Sequence, residues 1–445
     1  MEKISFCIAS AKNEKNYTLG VLKSLKENTN FLNHEVLIFI DSDNQNTYEE
    51  LLKQKEENPN IKIYRNTSEF PVGSQRNVSI MFYHASNDVV IYLQSDMVVC
   101  PNFDKYFLEA LNKDKNRIIS AASIEPPLHP PSPEKIVKDF GLSPEKFKYD
   151  EFYKFTKNLQ KENRPLMEGH FAPFGLYKET YFEVMGGFDT KFRCSREDSD
   201  FIIRINAHKL EAFQTWNASV YHYTCVSSRG TDWYKQDQEA EIKNEWQTKA
   251  DQEELKRFIR KWGYFGHDYK PQYDTTLILD INTAPNFILL TQIESFFNKI
   301  VLNDKEVLDH LISLTNYDMT YYTNKRWNYT LEHWNKVKNH FMYEDIKDKF
   351  ILNTEFDQKG DVLIKADLYS LLKNNNSNYT TNNEFINNTN IILNNLLLKS
   401  PNNYKGNYNI GDFNIEVNNL VDINPKHLDS KQYQLLLDIN KFKFI

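Results

Sequence analysis

The chain has 445 residues, 40% hydrophobic and 14% aromatic, with a formal net charge of -7. That length allows two or three domains, and the apolar content supports true cores, which excludes a disordered chain. The acidic balance argues against sequence-independent nucleic-acid binding, which rests on a basic patch.

Short apolar runs alternate with helical patterns over the first hundred residues. Residues 4–9 read as a strand and 17–27 as an amphipathic helix. Residues 35–40 form a second strand and 47–57 a second helix. A strand at 61–64, a helix at 74–85 and a strand at 89–93 continue the alternation, which means βαβ units and a mostly parallel sheet. Pro126, Pro127, Pro130, Pro131 and Pro133 mark a loop, residues 134–168 look helical and charged, and a further α/β stretch runs over 171–222. Near residue 270 the pattern restarts, with strands expected at 276–281, 286–290, 361–365 and 413–417, and a helix at 305–314. Residues 374–406 are Asn-rich and of low complexity.

The cysteines are Cys7, Cys100, Cys194 and Cys225, without zinc-type spacing, which suggests a reducing compartment. The first residues run straight into a strand pattern rather than a signal peptide. No stretch reaches the ~18–20 apolar residues of a membrane span, so the expected location is cytoplasmic.

Parallel sheets hold ligands beyond the carboxyl ends of their strands, so the informative residues follow positions 9, 40 and 93. After the first strand come Ser10, Asn13 and Glu14, and after the second Asp41 and Asp43. These polar clusters suit a ribose or a base, and suit helix caps and Asx turns equally. Gly73, Arg76 and Asn77 open a helix, where a glycine lets backbone approach a phosphate and Arg76 adds charge. The fourth strand ends in Gln94-Ser95-Asp96, and a carboxylate at that edge is a natural Mg²⁺ or Mn²⁺ ligand as well as a turn cap. Farther on, Gly186-Gly187-Phe188-Asp189 precedes Glu197, Asp198 and Asp200, carboxylates opening an amphipathic helix whose dipole keeps them ionised. They fit a general base and also a plain acidic N-terminus. His222 follows an apolar run, and a lone histidine is more often structural than a ligand.

The order of these signals, closing with Lys261-Trp262-Gly263, resembles the family 2 glycosyltransferases of the GT-A fold over about residues 1–265. The most specific part is Gly-Gly-Phe-Asp followed by Glu197-Asp198 and Arg204. The resemblance implies an α/β fold: a Rossmann-like, mostly parallel sheet flanked by helices over residues 1–268. Residues 271–445 would follow as an α/β or α+β domain for acceptor recognition or oligomerisation. It further implies inverting transfer from a nucleotide-diphosphate sugar, UDP being the commonest carrier, to a glycan, lipid-linked or protein hydroxyl. Asn13, Glu14 and Asp41 would contact the donor's base and ribose. Asp43 and Arg76 would stand beside the nucleotide, with Ser10, Gly73, Asn77 and Ser95 in the same donor site. Asp96 stands at the last position of the family's Asp-x-Asp motif and would hold Mn²⁺ or Mg²⁺ together with His222. Asp198 stands at the position of the base. Gln94 replaces the first Asp of that motif and brings a carbonyl oxygen without charge. Glu197, Asp200 and His170 fall on the acceptor side, with Phe171 and Phe174 nearby. Competing readings are transfer to a modified nucleic-acid base, a nucleotidyltransferase of related fold, and a non-catalytic binding module.

Overall fold

A computed structural model describes residues 2–11, 14–41, 43–67, 73–169, 172–192, 196–224, 255–263, 266–282, 294–309, 349–357, 360–367, 405–410, 413–418, 420–433 and 442–445. The chain forms two units, Met1–Lys243 with Asp429–Ile445, and Asn244–Leu428.

In the first unit β1 (Ile4–Ser10), β2 (Glu35–Ile40), β3 (Ile61–Arg65) and β4 (Val89–Gln94) alternate with α1 (Lys15–Asn28), α2 (Thr47–Glu57) and α3 (Ser74–His84). There follow β5 (Met97–Val99), α4 (Phe103–Leu111), β6 (Arg117–Glu125), β7 (Lys135–Val137) and α5 (Tyr149–Glu162). The last elements are β8 (Met167–Glu168), β9 (Phe174–Tyr177), α6 (Glu197–Ala207) and β10 (Glu211–His222). The strand order is β3-β2-β1-β4-β9-β6-β10-β5. β1 pairs in parallel with β2 and β4, β2 with β3, and β6 with β10, while β9 runs antiparallel between β4 and β6. The carboxyl ends of β1, β2, β4, β6 and β10 therefore lie on one edge.

β1 and β2 are almost unbroken apolar runs because both faces of the sheet are covered. Successive side chains alternate between two cores: Phe6, Ile8 and Ile38 enter one, Cys7, Leu37 and Phe39 the other.

Residues 134–168 differ from the helix expected there. Tyr149–Glu162 is the α-helix of this stretch, burying Phe152, Thr156 and Leu159 on one face, after a 3₁₀ turn at Pro144–Lys146. Residues 135–137 pair with β6 instead, in the register Ser123 to Lys135 and Glu125 to Val137. A strand edge in reach outweighs local helix propensity.

The fold divides the chain at other places than the change of pattern near residue 270. Residues 429–445 belong to the first unit, where Ile63 and Ile445 exchange backbone hydrogen bonds of 2.8 and 3.0 Å. Phe442 and Phe444 flank the Tyr64 ring with centroids 5.3 and 5.6 Å away. The tail thereby covers the free edge of β3, which otherwise presents unpaired backbone groups.

In the second unit β11 (Thr275–Asp280), β12 (Lys299–Leu302), β13 (Phe350–Leu352), β14 (Val362–Asp367), β15 (Gly406–Ile410) and β16 (Phe413–Val417) form a sheet of order β13-β12-β11-β14-β16-β15. The first four strands are mutually parallel and the β15–β16 hairpin is antiparallel. The strand expected at 286–290 lies outside the described residues, as do most of the Asn-rich stretch and the end of the helix expected at 305–314. Lys261-Trp262-Gly263 falls in this unit, with the buried Trp262 ring 5.8 Å from that of His427.

A buried carboxylate holds this unit's charges together. Glu294 accepts from Arg260 Nε at 3.0 Å and from Lys349 Nζ at 3.2 Å. Burial opposes its ionisation, but the two cations outweigh burial and pull its pKa down to about 2. The folded pKa lies below the unfolded value of ~4.3, so the stabilisation is complete above that pH and fades as pH falls toward 2. The second unit's melting temperature is expected to fall through this acid window, and Glu294→Gln to flatten the fall while lowering stability at neutral pH. Parallel acid profiles for the two proteins would remove Glu294 as the cause.

Candidate functional site

A cleft of about 430 Å³ opens at the carboxyl edge of the first sheet. Tyr92 and Gln94 of β4, Glu125 of β6, His222 of β10, and Glu197 and Asp198 at the start of α6 line it together. Residues far apart in sequence meet here because parallel strands end on the same side.

Asp96 is buried just past the end of β4, and its Oδ2 lies 3.5 Å from His222 Nε2. On its other side the imidazole meets Glu125, Nδ1 to Oε1 at 3.2 Å, and Glu125 in turn receives Lys135 Nζ at 2.8 Å. Burial disfavours a charged imidazole, but Asp96 and Glu125 outweigh it and push His222 up to about 10. Burial likewise opposes the Glu125 carboxylate, and His222 and Lys135 pull it down to about 2. The two carboxylates hold a proton's positive charge on the imidazole between them, and a metal ion binding there would have to displace that proton. A histidine with one nitrogen on a carboxylate and the other facing an acidic partner is also the usual build of a metal-bound imidazole. Among the described residues no three His, Cys, Asp or Glu side chains form a complete cation cage.

The expected donor-side residues divide into those that face outward and those that brace. Glu14 is buried and accepts from Ser95 Oγ and the Ala11 N–H, both at 2.7 Å, tying the end of β1 to the turn that carries Asp96. Burial raises its pKa to about 7 against those two hydrogen bonds. Ser10 Oγ meets Thr18 Oγ1 at 2.7 Å. Asp41 accepts from Asn66 Nδ2 at 2.9 Å and from the Gly73 N–H at 2.8 Å, so this N–H points to a carboxylate rather than outward. Gly73 has φ +95, a conformation glycine adopts without strain. Asp43 accepts three backbone N–H groups, from Gln45, Thr47 and Tyr48 at 3.0 Å each, and so caps α2. Arg76 is half-buried on α3, and Asn77 is buried with its Oδ1 lacking a hydrogen-bond partner. Asn13, His170 and Phe171 lie outside the described residues; Phe174 is buried and lines the cleft.

Asp198 is exposed at the mouth of the cleft in the first turn of α6, its Oδ1 accepting from the Ser199 N–H at 2.6 Å. Asp200, expected on the acceptor side, does not reach the cleft. It is fully buried, and its Oδ2 lies 3.0 Å from Arg204 Nε. Arg204, also fully buried, donates from one terminal nitrogen to the carbonyls of Met185 and Gly187, both at 2.6 Å. The Gly-Gly-Phe-Asp segment and the acidic helix are thus one structural device. Gly186 and Gly187 turn with φ +72 and +83, Arg204 ties that turn to α6, and Phe188 lies 4.8 Å from Phe201. Glu125 and Lys135 entered no reading of the sequence, although a carboxylate closing a strand before a proline run is the same signal that singled out Asp96.

Fold and cleft define an α/β protein whose cleft opens at the carboxyl ends of its strands. Residues 6–178 match the family model of glycosyl transferase family 2. The matched segment lies within the first unit. No curated protein matches the chain. Among solved structures it is similar to GalNAc-T7 with UDP, GalNAc and Mn²⁺, at 16% identity over 58% of this chain and 51% of that one, with a TM-score of 0.38. It is also similar to S. aureus TarS, at 13% identity over 78% and 53% of the two chains and the same TM-score of 0.38. For residues 1–349 of TarS in complex with UDP-GlcNAc the identity is 14%, the coverage 58% and 73%, and the TM-score 0.36. The chain spans about half the length of the first two, 51% and 53%. Among the described residues no helix is long and apolar enough to cross a membrane.

Proposed function

We propose that the first unit transfers a sugar from a nucleotide-diphosphate donor, UDP first among the carriers, to a hydroxyl of a glycan, lipid-linked or protein acceptor, with inversion at the anomeric carbon. The observation that carries this reading is that one cleft is lined by Asp198, Gln94 and His222 together, with Asp96 3.5 Å from that histidine. The ends of β1 and β2, with Ser10, Asn13, Glu14, Asp41 and Asp43, shape the nucleoside side, and Arg76 and Asn77 stand beside it. Glu14 and Asp43 act there by bracing. Asp96 and His222 hold Mn²⁺ or Mg²⁺, with the Gln94 carbonyl on the same wall. The cation, when bound, neutralises charge on the diphosphate leaving group. Asp198 takes the proton of the acceptor hydroxyl as its oxygen attacks the anomeric carbon. The bond to the diphosphate breaks on the opposite face, so the configuration inverts. Cys7 and Cys100 are buried free thiols, which supports a reducing, cytoplasmic setting.

The direct test is UDP release by the purified full chain from UDP-glucose, UDP-N-acetylglucosamine and UDP-N-acetylgalactosamine, with Mn²⁺ and with EDTA. Release that EDTA stops supports the reading. No release, together with no rise in melting temperature from any of these nucleotides, would end it. Glu125→Gln is expected to weaken Mn²⁺ affinity about 10- to 100-fold, because the carboxylate orients the imidazole and raises its basicity as a ligand. An unchanged Mn²⁺ activation curve would remove Glu125 from the cation site.

A further inference from the structure

Among the described residues, the segment that returns to the first unit meets the helix that carries Asp198 through Tyr433. Ser430–Gln432 form a 3₁₀ turn followed by the buried Tyr433. The Tyr433 ring lies over the guanidinium of Arg204, with its centroid 4.2 Å from the central carbon. That guanidinium is the group that binds Asp200 and the Met185 and Gly187 carbonyls. On the other side of the same turn, a Cβ at Gly186 would collide with the Ser430 carbonyl. Gly186 is therefore constrained twice, by its positive φ and by the backbone seated against it.

We propose that Tyr433 is a positioning residue for sugar transfer, setting Arg204 and through it the first turn of α6. The proposal rests on the reading of Asp198 as the base. Arg204 alone could settle among several acceptors, because its five donors exceed the contacts that Asp200 and the two carbonyls take. An aromatic face against the guanidinium plane restricts it to one orientation, an attraction that gains strength away from water. Asp198 stands two residues before Asp200 in the same helix, so a tilt in the Asp200–Arg204 pair moves the carboxylate at the cleft. A displacement of about 1 Å at a reacting group costs roughly 100-fold in rate.

The experiment compares Tyr433→Leu, which removes the aromatic face, with Tyr433→Phe, which keeps it, both in the full chain. Amide hydrogen exchange is measured over residues 197–207 and over 15–28 as an internal control. UDP release from UDP-N-acetylglucosamine with Mn²⁺ gives kcat and KM. Tyr433→Leu is expected to speed exchange in 197–207 only and to lower kcat roughly 10- to 100-fold, with donor KM changed less than about two-fold. Tyr433→Phe should restore both. If Tyr433→Leu does not fold, Tyr433→His, with its weaker ring face, is read in the same way. Unchanged exchange in 197–207, or equal acceleration in both segments, would overturn the positioning role. A wild-type chain that releases no UDP would defeat the transferase reading and with it the role in sugar transfer, whereas exchange in 197–207 separately decides whether Tyr433 sets the first turn of α6.

Discussion

Asp198→Asn should lower kcat by about 10²- to 10⁴-fold, the range a positioned general base contributes. The asparagine keeps the size of the side chain and its acceptor for the Ser199 N–H, so the first turn of α6 keeps its form. It removes the charge that takes a proton from the acceptor hydroxyl. Because Asp198 is exposed and sits outside the Asp200–Arg204 pair, the melting temperature should stay near that of the parent. Donor KM should also hold within about two-fold, since an interaction made mainly in the transition state leaves ground-state binding alone. Rates of transfer and of donor hydrolysis, measured side by side, check this. An Asp198→Asn protein that transfers at the parental rate takes the base role away from this residue. A loss confined to KM would make Asp198 a binding group instead.

The parts of this architecture that were legible in the sequence share one property: they depend on near neighbours. The second strand and the second helix lie where periodicity puts them, and the first and fourth strands each extend one residue beyond the reading. Strands buried on both faces must be apolar throughout, and that leaves a clear trace. Asp96, His222, Asp198 and Gln94 meet at one edge, as parallel topology demands of strand ends and helix starts. What escaped was set by distant partners. Nothing local tells Lys135–Val137 to pair with β6, or Lys135 to complete a chain from Asp96 through His222 and Glu125. Nor could the sequence distinguish Asp43 from Asp41. Both follow β2, yet one caps α2 and the other receives the Asn66 amide and the Gly73 N–H. The return of the tail left a faint trace in Phe442 and Phe444, whose spacing is that of one face of a strand.

Arg204→Met should destabilise the first unit by about 3–5 kcal/mol, the cost of leaving a buried charge without its partner. Magnitudes separate this pair from the others in the unit. Lys23 and Glu27 stand 3.8 Å apart in water on α1, and exposed pairs of that kind are worth ~0.3–0.5 kcal/mol. Arg204 and Asp200 have no exposed side-chain surface, and Arg204 also satisfies two carbonyls of the glycine turn. Methionine fills similar volume but leaves the Asp200 carboxylate and both carbonyls without that donor. The double variant Asp200→Asn with Arg204→Met is expected to be less destabilised than the sum of its single variants, because the second change removes the charge stranded by the first. Urea unfolding followed by a probe confined to the first unit gives the cycle. A single-variant loss below about 1 kcal/mol would mean that water or another cation reaches Asp200 when Arg204 is gone. In that case the Gly-Gly-Phe-Asp turn is held by Tyr181, whose hydroxyl oxygen accepts from the Phe188 N–H at 3.0 Å, rather than by the buried ion pair.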